Sequence, residues 1–176
     1  MPKKVMVLDS TSLIMGLNPQ TAQAKAYTTP SILGELRSGE LSKLRVESSI
    51  ASGAMYVRTP TLRFKRRIEE VCMSLGEQAE LSEADKDLLA LAEELNAEGL
   101  EPIIITDDFA VQNVAEYLNL EYRSLATKGI SKLLGWAIYC PACHRKLDNP
   151  TLKICETCGT RLKRKPIKSR AVKHKV

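Results

Sequence analysis

The chain begins with a short apolar run that ends in an acid. Residues 5–8 are all apolar, which is typical of a strand buried inside a sheet, and Asp9 follows them directly. Open α/β sheets bind their ligands at the carboxyl ends of the strands. The sequence therefore predicts Asp9 at the edge of the sheet where a ligand would bind.

A second stretch repeats this pattern about a hundred residues later. Residues 103–105 are three isoleucines, and Asp107 and Asp108 follow before a helical pattern begins. Strand-like and helical segments alternate over the first 125 residues. This alternation predicts an α/β fold, a parallel sheet with helices on both faces.

Two further acids are expected near the same edge. Glu35 lies beside the apolar face of a helix that Thr29 caps and Pro30 opens. Asp85 occupies the third position of a helix capped by Ser82, and helical spacing turns it towards the buried face. The same spacing predicts that Asp87 is solvated.

The predicted acids share one edge of the sheet and would repel one another unless a cation neutralised them. Hard divalent ions such as Mg²⁺ or Mn²⁺ are the expected partners, which predicts a metal site with catalytic potential. The alternative is that these acids only cap helices and interact with helix dipoles. The candidate residues are Asp9, Glu35, Asp85, Asp107 and Asp108.

Two Cys-x-x-Cys pairs occupy the C-terminal third of the chain, separated by eleven residues. This spacing is typical of a structural four-cysteine zinc ribbon, whereas disulfides or a redox pair are the alternative. The four predicted Zn²⁺ ligands are Cys140, Cys143, Cys155 and Cys158. His144 is expected at the surface, and Cys72 is expected to be a buried free thiol.

Charge is unevenly distributed along the chain. Residues 1–159 carry a net charge of −3, and residues 160–176 carry +8. A basic tail indicates a polyanionic partner such as RNA, although such tails can also simply be solubilising. A basic helix with Arg63, Lys65, Arg66 and Arg67 is either a solvated face or a phosphate-binding track. Trp136 and Tyr139 are expected to pack against the zinc ribbon, with stacking on nucleic-acid bases as the alternative.

These features predict a domain organisation and a cellular setting. An α/β domain carrying the acidic edge would cover residues 1–125, a linker 126–135, the ribbon 136–162 and a disordered basic tail 163–176. No apolar run approaches 18 residues, and the apolar run near the start is too short for a signal peptide. A cytoplasmic protein without a membrane partner is therefore expected.

Several of these motifs resemble those of a known family. Residues 8–11, 35–36, 81–92 and 106–108 resemble the PIN-domain nucleases, whose acids gather divalent ions at the edge of a parallel sheet. Together with the four-cysteine ribbon, residues 105–114 and 134–136 resemble the Nob (Nin-one-binding) endonuclease family. The short chain resembles the archaeal members.

The resemblance implies an endoribonuclease that matures the 3′ end of small-subunit (16S) ribosomal RNA. It implies Asp9, Glu35, Asp85 and Asp107 as catalytic acids, with Asp108 as an alternative to Asp107, and the four cysteines on zinc. Implied partners are the precursor ribosomal RNA, the pre-30S particle and a KH-type RNA-binding assembly factor. Metal-dependent hydrolysis would leave 5′-phosphate and 3′-hydroxyl ends.

The ribbon and tail are expected to grip RNA, through the candidate residues Arg161, Lys163, Arg164 and Lys165. Two alternative functions remain at this point. One is a less specific PIN ribonuclease of the toxin or RNA-decay type. The other is a non-catalytic RNA-binding assembly factor.

Overall fold

The described part of the chain forms a parallel five-stranded sheet flanked by helices and a smaller antiparallel sheet of three strands. The structure is a computed structural model that describes residues 3–19, 24–36, 41–147 and 152–172. The first sheet contains β1 (Lys4–Leu8), β2 (Ala26–Thr28), β3 (Met55–Val57), β4 (Glu101–Ile105) and β5 (Glu121–Arg123). Its helices are α1 (Ser10–Ile14), α2 (Pro30–Glu35), α3 (Leu41–Ala51), α4 (Leu62–Leu75), α5 (Glu83–Ala97) and α6 (Phe109–Leu118).

The strand order of the parallel sheet positions the site. The order is β3-β2-β1-β4-β5, so the chain moves outward from β1 in one direction and returns to β4 on the other side. The direction of winding changes between β1 and β4, and such switch points are where α/β sheets bind ligands. Asp9 follows β1, and Thr106 follows β4 beside it, which confirms the predicted fold class.

Several helix ends follow from local chemistry that the sequence announces. The Thr29 hydroxyl accepts a hydrogen bond from the Ile32 amide at 3.2 Å, and Pro30 begins α2. Ser82 and Asp85 cap α5 reciprocally, each side chain bonding to the backbone of the other. At the end of α4, Gly76 adopts a left-handed conformation with φ of 69°.

The second sheet lies against the end of α4 and the start of α6. It is ordered β7-β6-β8 and contains β6 (Lys132–Tyr139), β7 (Lys146–Leu147) and β8 (Lys163–Ala171). The Asn113 amide pairs with both backbone groups of Leu134, each at 2.8 Å. A side chain on α6 therefore hydrogen-bonds to β6 as a neighbouring strand would.

The expected disordered tail and linker differ from what is observed. Residues 163–171 form β8, which pairs along the length of β6 with one irregularity beside Gly135. Residues 132–135, predicted as linker, belong to β6. The prediction failed because the partner of β8 lies about thirty residues earlier, where local patterns give no signal. Residues 173–176 lie outside the described part.

Cys72 is buried with a free thiol, as predicted, and burial raises its pKa to about 11. Among the described residues, none of the helices combines the length and apolar character needed to cross a membrane.

Candidate active site

Asp9 is the most buried of the predicted acids. It lies at the end of β1, caps α1 and is 4% exposed. One carboxylate oxygen accepts a hydrogen bond from the Thr106 hydroxyl at 2.8 Å, and the other accepts one from the Ser10 amide at 2.6 Å. Burial raises the pKa of Asp9, and repulsion from Asp85 adds to the increase, against the lowering effect of the two hydrogen bonds.

Asp85 lies near Asp9 and is held by the cap of α5. Its carboxylate accepts hydrogen bonds from the Ser82 amide at 2.9 Å and from the Ser82 hydroxyl at 2.7 Å. Its charge contributes to the raised pKa of Asp9, so the two carboxylates are close enough to interact. The Asp85 side chain therefore both caps α5 and belongs to the candidate acidic site.

Asp107 and Asp108 follow β4 and perform different structural tasks. The Asp107 carboxylate accepts hydrogen bonds from the backbone amides of Ala126 and Thr127 at 3.0–3.2 Å. Partial desolvation raises the pKa of Asp107, but these hydrogen bonds outweigh it and lower the pKa overall. Asp108 is more exposed and caps α6 through the amides of residues 110 and 111. Both acids thus hold local backbone in place, and the choice between them as the metal ligand stays open.

The two remaining acids, Glu35 and Asp87, differ in burial. Glu35 is exposed at the last residue of α2. Asp87, predicted to be solvated, is 8% exposed, pairs with Lys65 at 2.6 Å and accepts a hydrogen bond from Ser31. Residues 87–92 are all buried, so α5 has no solvated side there, and the helical-face argument fails.

The candidate acids share the lack of a cationic partner. Among the ion pairs of the described residues, none involves Asp9, Glu35, Asp85, Asp107 or Asp108. Within the same part of the chain, no three carboxylates approach closely enough to form a metal group. Mg²⁺ is commonly held by one or two carboxylates and several waters, so Asp9 with one neighbouring acid would be enough to hold such an ion.

The four cysteines form the one group of metal-ligand type found among the described residues. The Sγ atoms of Cys140 and Cys158 are 3.4 Å apart, and those of Cys143 and Cys155 are 3.7 Å apart. All four lie within 4.8 Å of one another. A tetrahedral zinc ion with bonds of about 2.3 Å separates its sulfurs by about 3.8 Å, so the cluster fits Zn²⁺.

Local turns prepare these cysteines for a metal. In both Cys-x-x-Cys turns a backbone amide donates a hydrogen bond to the carbonyl oxygen of the first cysteine. The His144 amide donates to Cys140 at 2.9 Å, and the Gly159 amide donates to Cys155 at 2.8 Å. Hydrogen bonds with Thr160 lower the pKa of Cys158 to about 6, which favours the thiolate that binds metal. His144 is exposed and is not part of the cysteine group.

The predicted RNA-binding residues differ in their surroundings. Arg161 and Lys163 are exposed, and the Lys165 ammonium lies over the Tyr139 ring, 4.9 Å from its centroid. The Arg164 guanidinium instead pairs with acids and stacks on Trp136 at 4.5 Å. Arg164 therefore stabilises the contact between the second sheet and the end of α4, whereas it was expected to contact RNA. We call this contact, formed by Glu77, Trp136 and Arg164, the joint between the two sheets.

The basic helix α4 is only partly available to a ligand. Lys65 pairs with Asp87, and Arg67 pairs with Glu93. Arg63 and Arg66 are exposed. Half of this predicted track therefore has a structural task.

Comparison with known proteins identifies the family. Residues 6–95 match the family model described as the PIN domain of ribonuclease. The chain is 38% identical over 171 residues to Endoribonuclease Nob1 of Methanocaldococcus jannaschii, an alignment that covers 97% of this chain and 82% of the relative. Against Endoribonuclease Nob1 of Pyrococcus abyssi, identity is 39% over 170 residues, or 96% of this chain and 98% of the relative.

The chain belongs to the Nob1 family of PIN-domain endoribonucleases. It is also 33% identical over 172 residues to Ribonuclease VapC1 of Thermoplasma acidophilum, covering 98% of this chain and 84% of that protein. The PIN match includes Asp9, Glu35 and Asp85 but ends before Asp107. The two Nob1 relatives described above align along almost the whole chain, so their alignments include Asp107.

Sequence reasoning missed two features of this Nob1-family site. Thr106 was noted only as part of a motif, although its hydroxyl orients Asp9 and accepts a hydrogen bond from the Asp108 amide. Glu77, 3% exposed, was not singled out, because nothing local marks it as the partner of Arg164. Its position directly after the helix-ending Gly76 was the only available signal.

Proposed function

We propose that this Nob1-family endoribonuclease cuts precursor small-subunit ribosomal RNA to form the 3′ end of 16S RNA. Asp9 carries the proposal. It is a buried carboxylate at the switch point of the sheet, with another acid nearby and no cationic partner among the described residues. Such a group needs a cation when it is ionised. Membership of the Nob1 family indicates that the reaction at this cation would be cleavage of RNA.

We propose Asp9, Asp85 and Asp107 as the residues that hold Mg²⁺ or Mn²⁺, with Glu35 and Asp108 completing the acidic edge. When bound, such an ion acidifies a water molecule and stabilises the charge that develops on the phosphate. Zn²⁺ held by the cysteine cluster would be structural, because four thiolates leave no position for a substrate.

The chain's own residues orient the reacting groups. Thr106 and Ser10 fix both oxygens of Asp9, and Ser82 fixes Asp85. Asp107 holds the backbone of residues 126–127 beside the acidic edge. With water as the attacking group, cleavage leaves a 5′-phosphate and a 3′-hydroxyl. A 2′,3′-cyclic phosphate would contradict this mechanism, since it requires attack by the RNA's own 2′-hydroxyl.

The proposed setting is the cytoplasm, where the substrate would be the RNA of the pre-30S particle. A KH-type assembly factor is the proposed partner that presents it. Arg161, Lys163 and Lys165 on and beside β8 would contact phosphates of the RNA. A less specific ribonuclease is the second candidate, because one relative that aligns with nearly the whole chain is named Ribonuclease VapC1.

Cleavage of an RNA spanning the 3′ end of the 16S sequence in Mn²⁺ tests the proposal. Wild type should cut at one position, and Asp9→Asn should bind the RNA without cutting it. Glu101→Gln is the matched control, because Glu101 is an exposed acid at the start of β4, on the opposite edge of the same sheet. Cutting at many unrelated positions would favour the second candidate. Binding without cutting by the wild type, with any divalent ion, would favour a non-catalytic assembly factor.

A further inference from the structure

A pocket of about 210 Å³ lies between the start of α6 and the second sheet. Phe109 forms one wall, Ile130 and the β6 residues Lys132, Leu134 and Trp136 line it, and the ion-paired Glu77, Glu80 and Arg164 lie on the same lining. We call this the Phe109 pocket. Nothing in the proposed cleavage mechanism uses it.

The pocket adjoins the acidic edge. Phe109 follows Asp107 and Asp108 directly and is the first residue of α6. Its side chain is 56% exposed, which is unusual for a phenylalanine and leaves the ring free for contact. A group bound beside Phe109 would therefore lie next to the phosphate held at the acids.

The composition of the pocket favours a base over a phosphate. Glu77 and Glu80 line it together with Arg164, which pairs with both acids, so this part of the lining is close to neutral and Arg164 has no unpaired charge for a phosphate. Phe109 offers exposed aromatic surface, on which the bases of single-stranded RNA stack, and Trp136 lies on the same lining with Arg164 over its ring. Lys132 is exposed and lies on the same lining, where its ammonium can meet the adjoining phosphate.

We propose that the Phe109 pocket binds one unstacked base of the RNA, adjacent to the nucleotide whose phosphate is cut. This inference rests on the proposed function, since it takes RNA as the substrate. The volume suits a single planar group and is small for a folded peptide segment. Base binding would fix the register of the strand at the acids and so contribute to the choice of cleavage position.

The test separates binding from cutting by using the Asp9→Asn protein as the parent. The probe is the single-stranded RNA around the predicted cleavage site, with fluorescent 2-aminopurine placed at one position at a time. Stacking on an aromatic ring should quench the fluorescence at one position only. Adding Phe109→Ala should remove this quenching and weaken RNA binding about 5- to 150-fold, the range for losing one base–aromatic stack.

Two further variants complete the design. Phe109→Trp should keep both the quenching and the affinity, because tryptophan retains an aromatic face. Tyr117→Ala should leave both within twofold, because Tyr117 is a similarly exposed aromatic at the far end of α6, outside the pocket. Both Phe109 and Tyr117 are exposed, so their replacement should leave the fold intact.

The outcomes distinguish the inference from the function on which it rests. If wild type cuts and the parent binds RNA, but Phe109→Ala changes neither quenching nor affinity, the pocket proposal is overturned. Should Phe109→Ala instead abolish binding to a protein assembly factor alone, the occupant is a protein and the proposal is again overturned. If no RNA is bound or cut by any variant, the proposed function fails together with the inference.

Discussion

Glu77 connects the two sheets, and its replacement gives a sharp test of that joint. The residue is 3% exposed, and its carboxylate accepts hydrogen bonds from Asn113, Trp136 and Arg164, each at 2.8 Å. Arg164 also pairs with Glu80 at 2.6 Å, but the Glu80 side chain is 50% exposed. The same guanidinium thus has one buried and one exposed acidic partner.

The expected magnitudes follow from this difference in burial. Glu77→Gln keeps the shape but leaves the partly buried Arg164 without its inner counter-charge. Breaking a buried pair costs about 3–5 kcal/mol, and we expect about 3 kcal/mol because Glu80 remains. Glu80→Gln removes an exposed pair, which is worth about 0–1 kcal/mol. The first change would take up a large share of the 5–15 kcal/mol typical of a domain.

Urea unfolding of the zinc-loaded protein measures both changes. Trp136 is the only tryptophan of the chain and donates to Glu77, so its fluorescence reports on the joint directly. Far-ultraviolet circular dichroism follows the helices that flank the first sheet. Equal free energies of unfolding for Glu77→Gln and Glu80→Gln would refute the reasoning, because burial would then not distinguish the two acids.

Three further predictions follow from the same structure. Burial raises the pKa of Asp9, so the metal-free protein should lose stability as the pH rises through that pKa, and Asp9→Asn should remove this pH dependence. Mn²⁺ should raise the melting temperature of the wild type, and Asp9→Asn should remove that increase. Gly76→Ala should destabilise the protein by at least about 1 kcal/mol in urea unfolding, because Gly76 has positive φ and an added Cβ would lie 2.7 Å from the Trp136 carbonyl oxygen. A zinc chelator should unfold the cysteine cluster and shift the Trp136 fluorescence, whereas Cys158→Ser protein should show little further change.

The fold was predictable where local signals agree with the tertiary structure. The apolar strands, the Thr29 cap and the Ser82–Asp85 capping box are each encoded within a few residues, and each is observed. The paired cysteine spacing identifies the cluster for the same reason. Local patterns are sufficient when a residue's partners lie within one turn or one strand.

The same local patterns failed where the partner is distant. Asp87 was expected in solvent because only its own helix was considered, but Lys65 on α4 supplies its counter-charge. The residues of β8 were expected to be disordered because they show no strand or helix periodicity. Arg164 is nevertheless neutralised by Glu77, 87 positions earlier in the chain. Neither partner can be found without the arrangement of helices and sheets.

This contrast also separates structural acids from candidate catalytic ones. Asp87, Glu77 and Glu94 are buried, and each is paired with a lysine or arginine that replaces lost hydration. Asp9 is equally buried, yet among the described residues its hydrogen bonds come from the Thr106 and Ser10 hydroxyls and the Ser10 amide. The chain contains more basic than acidic residues, so cations are not scarce. A buried acid that has no cationic partner in the described part of the chain, beside a second acid at the switch point of the sheet, is what a site reserved for an external cation requires.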